Sequence, residues 1–167
     1  MIIYHGSLDI VPEPEIRLPN RTLDYGSGFY TTTSYEQARQ WVHRKMQETN
    51  AKQGFINTYD LDLDAAARLR MLSFSVPTED WLDFVMKNRT LRGFVHDYDI
   101  VYGPVANDKV YAAFALYEGG LLSRQGLISE LKTYKLVDQY LLHTKAALQV
   151  IRFIEAEDTT GSVFVQS

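Results

Sequence analysis

The chain has 167 residues, a formal net charge of −4 and no cysteine. That length suits one domain, residues 1–167, with a core large enough to fold without staples. The missing thiols exclude a disulfide framework, a thiolate metal site and a cysteine nucleophile, and the acidic balance lacks the basic excess of a general nucleic-acid binder. Hydrophobic residues make up 46% and charged residues 23%, the proportions of an ordinary soluble globular protein. No apolar run approaches the roughly 20 residues that span a membrane, and "MIIYHGSLDI" has neither the basic nor the apolar region of a secretory signal. A cytoplasmic location is therefore expected.

In chain order, "MIIYHG" reads as a β-prone first strand ended by Gly6. "VPEPEIRLPN" holds three prolines and must run as an extended loop, because proline removes backbone donors and biases its predecessor away from helix. "GFYTTT" reads as a short strand. A helix follows, with Thr33 and Glu36 as a capping box and Tyr35, Ala38, Val42 and Met46 on one face, ending near Asn50. Residues Phe55 to Leu63 alternate as a strand. Thr78 caps a second helix that turns Trp81, Leu82 and Val85 inward. "YDIVYGPVA" reads as a buried strand, and Asn107 opens a third helix, with Val110, Phe114 and Tyr117 on one side, stopped by Gly119-Gly120. Leu121 to Leu136 is expected to be a loop with at most one helical turn. "QYLLHT", a short helical bridge and "VIRFI" close the order, with a frayed or edge-strand tail. Strands early and late with helices between indicate α+β, with a largely antiparallel or mixed sheet.

Three features carry chemistry. Tyr4-His5-Gly6-Ser7 ends the first strand, where a histidine can donate to a sugar hydroxyl and a glycine lets a ligand approach the backbone. Tyr30 on the next strand and Trp41, eleven residues on in the helix, can face each other across a slot for a flat aromatic cation. Gln139 stands at the mouth of a late strand, after a polar loop. Each also has an ordinary reading: a histidine satisfied at a strand end, two core aromatics, a polar strand edge. Asp60, Asp62 and Asp64 mimic a calcium loop without its glycine and glutamate, and read as strand positions facing water. The four histidines have no metal-ligand spacing, so no metal is expected.

Taken in order, "YHGS", "GSGFYTTT" with Ala38 and Trp41, and "DQYLLHT" resemble the ADP-ribosyltransferase superfamily, in its diphtheria-toxin and poly(ADP-ribose)-polymerase-like branch with a His-Tyr-Glu triad. "YDIVYGPVAND" and "VPTEDWLDFVMKNR" are similar to a small bacterial toxin-like group within it, with glutamine in the third position. The resemblance spans Ile2 to about Phe153. It implies two small, mostly antiparallel sheets forming an NAD cleft, flanked by helices. His5 would hydrogen-bond the adenosine ribose of NAD, Gly6 would pair its backbone with the nicotinamide carboxamide, and Tyr30 and Trp41 would sandwich the nicotinamide. Ser7 and Thr31 would lie beside them, and Gln139 would stand where the family has its catalytic glutamate. Arg17 or Arg21 is expected to meet the pyrophosphate from its charge and place alone.

The implied reaction is mono-ADP-ribosyl transfer to a macromolecular acceptor, protein or nucleic acid, with release of nicotinamide. A bacterial toxin with a cognate antitoxin is the implied biology. Glutamine keeps the hydrogen bond to the ribose 2′-hydroxyl but lacks the charge, a loss of about 0.5–2 kcal/mol, or some two- to thirtyfold in rate. Val137, two residues earlier, stands where arginine-modifying relatives carry glutamate. The loop 121–138, with Arg124, Lys132, Tyr134 and Lys135, would select the acceptor. The alternatives are a degenerate NAD- or ADP-ribose-binding module, an NAD glycohydrolase, or a pure interaction protein.

Overall fold

The computed structural model describes residues 1–18, 23–105 and 107–165; Arg21 lies outside them. Fourteen elements follow in order: β1 (Ile2–Ser7), β2 (Phe29–Thr31), α1 (Tyr35–Thr49), β3 (Phe55–Leu61), α2 (Leu63–Ala66), β4 (Met71–Ser73), α3 (Glu79–Thr90), β5 (Ile100–Pro104), α4 (Asp108–Glu118), α5 (Arg124–Lys132), β6 (Asp138–Leu142), α6 (Lys145–Leu148), β7 (Ile151–Asp158) and β8 (Val163–Val165). The fold is α+β. One sheet has the order β1-β3-β7-β8 and is antiparallel throughout; the other has the order β2-β6-β5-β4, with only β4 and β5 parallel. No helix among the described residues is long and apolar enough to cross a membrane.

Apolar burial sorts these elements into layers. Ile3, Phe29, Tyr59, Ile100, Tyr140 and Leu142 pack between the two sheets. On the far face of the second sheet, Val101 and Leu141 pack with Trp81 and Val85 of α3, Phe114 of α4 and Leu127 of α5. Ala38 and Val42 fasten α1 to the outer face of the first sheet, against Ile56 and Tyr4. The sheets meet at one seam, where Tyr4 and Thr32 exchange backbone hydrogen bonds of 2.8 and 2.9 Å.

Several expectations are corrected. Ser34, not Thr33, caps α1, accepting from the Gln37 amide; Thr33 instead binds Asp138 through both its amide and its hydroxyl. Residues 124–132 form a nine-residue helix where a loop was expected, capped by Ser123 and burying Leu127, Ile128 and Leu131. Asp62 and Asp64 face water but lie beyond β3, Asp62 as the cap of α2 and Asp64 in its first turn, and the half-exposed Asp60 also pairs with the N-terminal amine.

The docking of α1 has one tight point. A Cβ added at Gly6 would lie 2.7 Å from the Ala38 carbonyl oxygen and 2.8 Å from Val42 Cγ2, so only glycine lets the helix lie this close. Gly6→Ala is expected to destabilise the protein by about 1–3 kcal/mol in urea denaturation; an unchanged midpoint would mean that α1 does not sit on β1 in this way.

Candidate functional site

The seam between the sheets gathers the expected residues, and strand alternation decides which face each one uses. Tyr4 and Thr32 pair across the seam. Antiparallel partners share a face, so Tyr4 and Gly6 of β1 are on the same side as Tyr30 and Thr32. Tyr30 opposes Leu141 on β6, which brings Gln139, two residues back, to that side as well. Trp41 reaches this face from α1: its Cδ1 lies 3.3 Å from the position a Gly6 Cβ would take. Gly6, Tyr30 and Gln139 therefore share one face across the seam, and Trp41 of α1 lies beside Gly6.

Trp41 is 39% exposed. Tyr30 is half-buried and firmly tied: its hydroxyl donates to the Gly26 carbonyl at 2.6 Å and accepts from the Tyr25 amide at 3.1 Å. Burial pushes the Tyr30 phenol far above its ordinary pKa, so it stays neutral.

His5 belongs to the opposite face of β1, its ring 4.2 Å from that of Phe29. It touches the cleft through the backbone of Tyr30, whose carbonyl is 2.7 Å from Nδ1. A carbonyl oxygen only accepts, so Nδ1 carries the proton and Nε2 is an acceptor. No described residue bonds Nε2, and no unpartnered side-chain nitrogen or oxygen among the described residues is sealed from solvent, so this edge of the ring is open. The sequence-based expectation of a donor is thus corrected: with Nδ1 donating to Tyr30, His5 has an acceptor at Nε2. Desolvation by burial, only partly opposed by the bond to Tyr30, lowers its pKa to about 4.

Gln139 is 8% exposed. Its Nε2 faces the Pro104 carbonyl at 3.4 Å, beside the Tyr25 hydroxyl, which donates to the same carbonyl at 2.8 Å and accepts from Trp81 Nε1 at 2.9 Å. Sequence reasoning missed both Tyr25 and Trp81 here. Their only signal was two large aromatics with polar tips in an apolar setting, where such tips need partners.

The other expected residues stay out of the cleft. Thr31 is buried, and its hydroxyl donates to the Tyr140 carbonyl. Ser7 Oγ accepts from the Asp9 amide. Arg17 is exposed, with no ion pair among the described residues. The carboxylate next to Gln139 is engaged elsewhere: Asp138 accepts from Thr33 and Tyr102 on the other face of β6, and from Thr32 at the seam. No cluster of three or more metal-ligating side chains occurs among the described residues.

A hollow of about 460 Å³ lies behind the Gly26-Ser27 turn, lined by Arg89, Arg92, His96 and His143 among others, and none of the expected site residues borders it. The turn itself needs its glycines: Gly26 and Gly28 have φ of 84° and 142°, and a Cβ on Gly28 would meet the Leu142 carbonyl at 2.5 Å.

A model for proteins of unknown function, DUF3990, matches residues 1–153. The chain belongs to that family. No curated protein matches it, and no solved structure does. The family match covers β1 through the first residues of β7, and so includes every residue that borders the cleft.

The buried, neutral His5 has a measurable consequence. Its folded pKa of about 4 lies below the ordinary value of 6.5, so the unfolded chain takes up this proton first. The stabilisation is complete above about pH 6.5 and is lost as pH falls towards 4, by up to about 3 kcal/mol. The His5 ring protons are expected to titrate by NMR with a midpoint near 4; a midpoint between 6 and 7 would refute the locked neutral tautomer.

Proposed function

We propose that the protein is an NAD-dependent mono-ADP-ribosyltransferase. The observation that carries this reading is the shared cleft: four residues that the resemblance assigns to NAD, from β1, β2, α1 and β6, border one face across the seam. The open acceptor edge of His5 adds a fifth contact at its rim.

The nicotinamide ring of NAD is a flat cation. It would lie between Trp41 and Tyr30, held by stacking and cation–π attraction worth about 0.5–2 kcal/mol, with its carboxamide on the Gly6 backbone. His5 Nε2 accepts from an adenosine ribose hydroxyl, and Gln139 accepts from the 2′-hydroxyl of the nicotinamide ribose. The bond from C1′ to the ring nitrogen then breaks, and its electron pair leaves with neutral nicotinamide. The acceptor's oxygen or nitrogen attacks C1′ and gives its proton to solvent. Because the leaving group is already cationic in the ground state, binding and distortion of the ring carry much of the barrier lowering.

The acceptor would approach from the side of residues 133–137, where Lys109, Tyr134 and Lys135 line an open hollow. Arg124 is not available for it, being paired with Asp83 at 2.7 Å. The resemblance alone carries the toxin role and a cognate antitoxin. The amide at position 139 favours a second reading, a module that binds NAD or ADP-ribose without turnover.

The test is nicotinamide release from NAD by the wild type, Trp41→Ala and Gln139→Ala. Trp41 is the more exposed of the two rings, which makes it a cleaner probe than Tyr30, whose hydroxyl holds the turn. The wild type is expected to release nicotinamide. Trp41→Ala should raise KM by roughly two- to thirtyfold, and Gln139→Ala should lower kcat. A shift in melting temperature with NAD but no release supports the binding module. If NAD brings about neither release nor a shift, an NAD site is refuted.

A further inference from the structure

We propose that position 139 is built for a carboxamide and rejects a carboxylate: Tyr25, held by Trp81 and Pro104, turns the Gln139 amide so that Nε2 points inward and Oε1 faces the cleft as the acceptor for a ribose hydroxyl. The assignment of Oε1 to a ribose rests on the transferase reading; the demand for an amide does not.

The argument begins at the Pro104 carbonyl. It can only accept, so whichever group of residue 139 faces it must donate. The Tyr25 hydroxyl has a single proton, and that proton goes to the same carbonyl at 2.8 Å, while the phenol oxygen is engaged by Trp81 Nε1 at 2.9 Å. The Gln139 side chain also reaches the Tyr25 hydroxyl, whose one proton is held by the Pro104 carbonyl. Nε2 of glutamine meets the requirement; an ionised glutamate would bring its charge against a carbonyl in a desolvated place, without a compensating bond.

The corner is shaped around that hydroxyl. Gly103 is the strand partner of Gln139 on β5, and a Cβ there would lie 2.4 Å from the Tyr25 hydroxyl oxygen. Glycine at 103, tyrosine at 25 and tryptophan at 81 thus form one arrangement, with glutamine as its fourth member. Burial holds the Tyr25 phenol well above its ordinary pKa, so it offers no charge to position 139. With Nε2 turned inward, Oε1 has no partner among the described residues and is not sealed from solvent.

Gln139 is on this account not a worn-out glutamate, and restoring the family's carboxylate should harm the protein. The decisive comparison is Gln139→Glu against Gln139→Met, which matches the length without titrating. A glutamate buried here has its pKa raised, so the folded state keeps a proton that the unfolded state has released; stability falls as pH rises through and above about 4.3. The melting temperature of Gln139→Glu is expected to drop relative to Gln139→Met by several degrees between pH 5 and pH 8, with nicotinamide release at pH 8 no faster than wild type. A pH-independent difference, or release faster than wild type, overturns the proposal.

Should neither variant fold, the wild type supplies the reading. One Gln139 side-chain amide proton should exchange with deuterium at least tenfold more slowly than those of exposed glutamines; equal exchange overturns the proposal. A wild type that ignores NAD would refute the transferase reading while leaving the pH and exchange outcomes to decide the amide pocket.

Discussion

Three successive carbonyls, those of Tyr25, Gly26 and Ser27, are each held by a side chain from a different part of the chain. His96 Nε2 donates to the first at 2.8 Å, the Tyr30 hydroxyl to the second at 2.6 Å, and His143 Nδ1 to the third at 2.6 Å. A buried backbone carbonyl without a partner is costly, and here the partners are side chains because the turn has no strand beside it. The stacked rings of His96 and His143, 4.1 Å apart, close over the turn from one side while Tyr30 closes it from the other. Everything at the seam depends on this clamp. It sets where β2 begins, hence which face Tyr30 presents, and it suspends Tyr25 with its hydroxyl beneath Gln139.

That dependence gives the cleft an unusual electrostatic character. Its bordering groups are two neutral aromatics, a glycine backbone, a carboxamide and, at the edge, a histidine kept uncharged by burial. No carboxylate faces inward from β6, although Asp138 is the very next residue. Period-two alternation sends Asp138 to the opposite face, where Thr33 and Tyr102, with Thr32 at the seam, hold it as a strap between β6 and the start of α1. A one-residue slip of register would exchange the two. Pairing of β6 with both β2 and β5, with Leu141 and Leu142 buried on opposite faces, prevents the slip.

Much of this was legible in the sequence for simple reasons. Three helices announced themselves through capping residues next to a periodic apolar face, as Thr78 and Asn107 did, and β1, β5 and β6 through short β-branched runs. What escaped was tertiary in origin. Helix α5 has its Ser123 cap and Leu127, Ile128 and Leu131 at helical spacing, but a glycine inside it and a polar surround hid the pattern. The capping box at Thr33 was plausible locally and lost because Asp138, 105 residues away, claims that threonine. Thr31 looked like a cleft residue because it neighbours Tyr30, yet adjacent strand residues must face opposite ways. Tyr25 and Trp81 could not have been linked to Gln139 at all, since their bond spans 56 residues and exists only once the turn is clamped.

The same clamp accounts for an amide at position 139. A carboxylate needs donors aimed at it, and its pKa stays low only while they are present. With the Tyr25 proton on the Pro104 carbonyl and the Trp81 indole on the Tyr25 oxygen, both side-chain donors of the corner are already engaged. An amide is the one side chain of that length that supplies a donor inward and an acceptor outward together. On the proposed transferase reading, the cost in chemistry is a single charge at the sugar. The return is a cleft wall without a buried ion, so its geometry, unlike that of His5, does not depend on any proton at position 139.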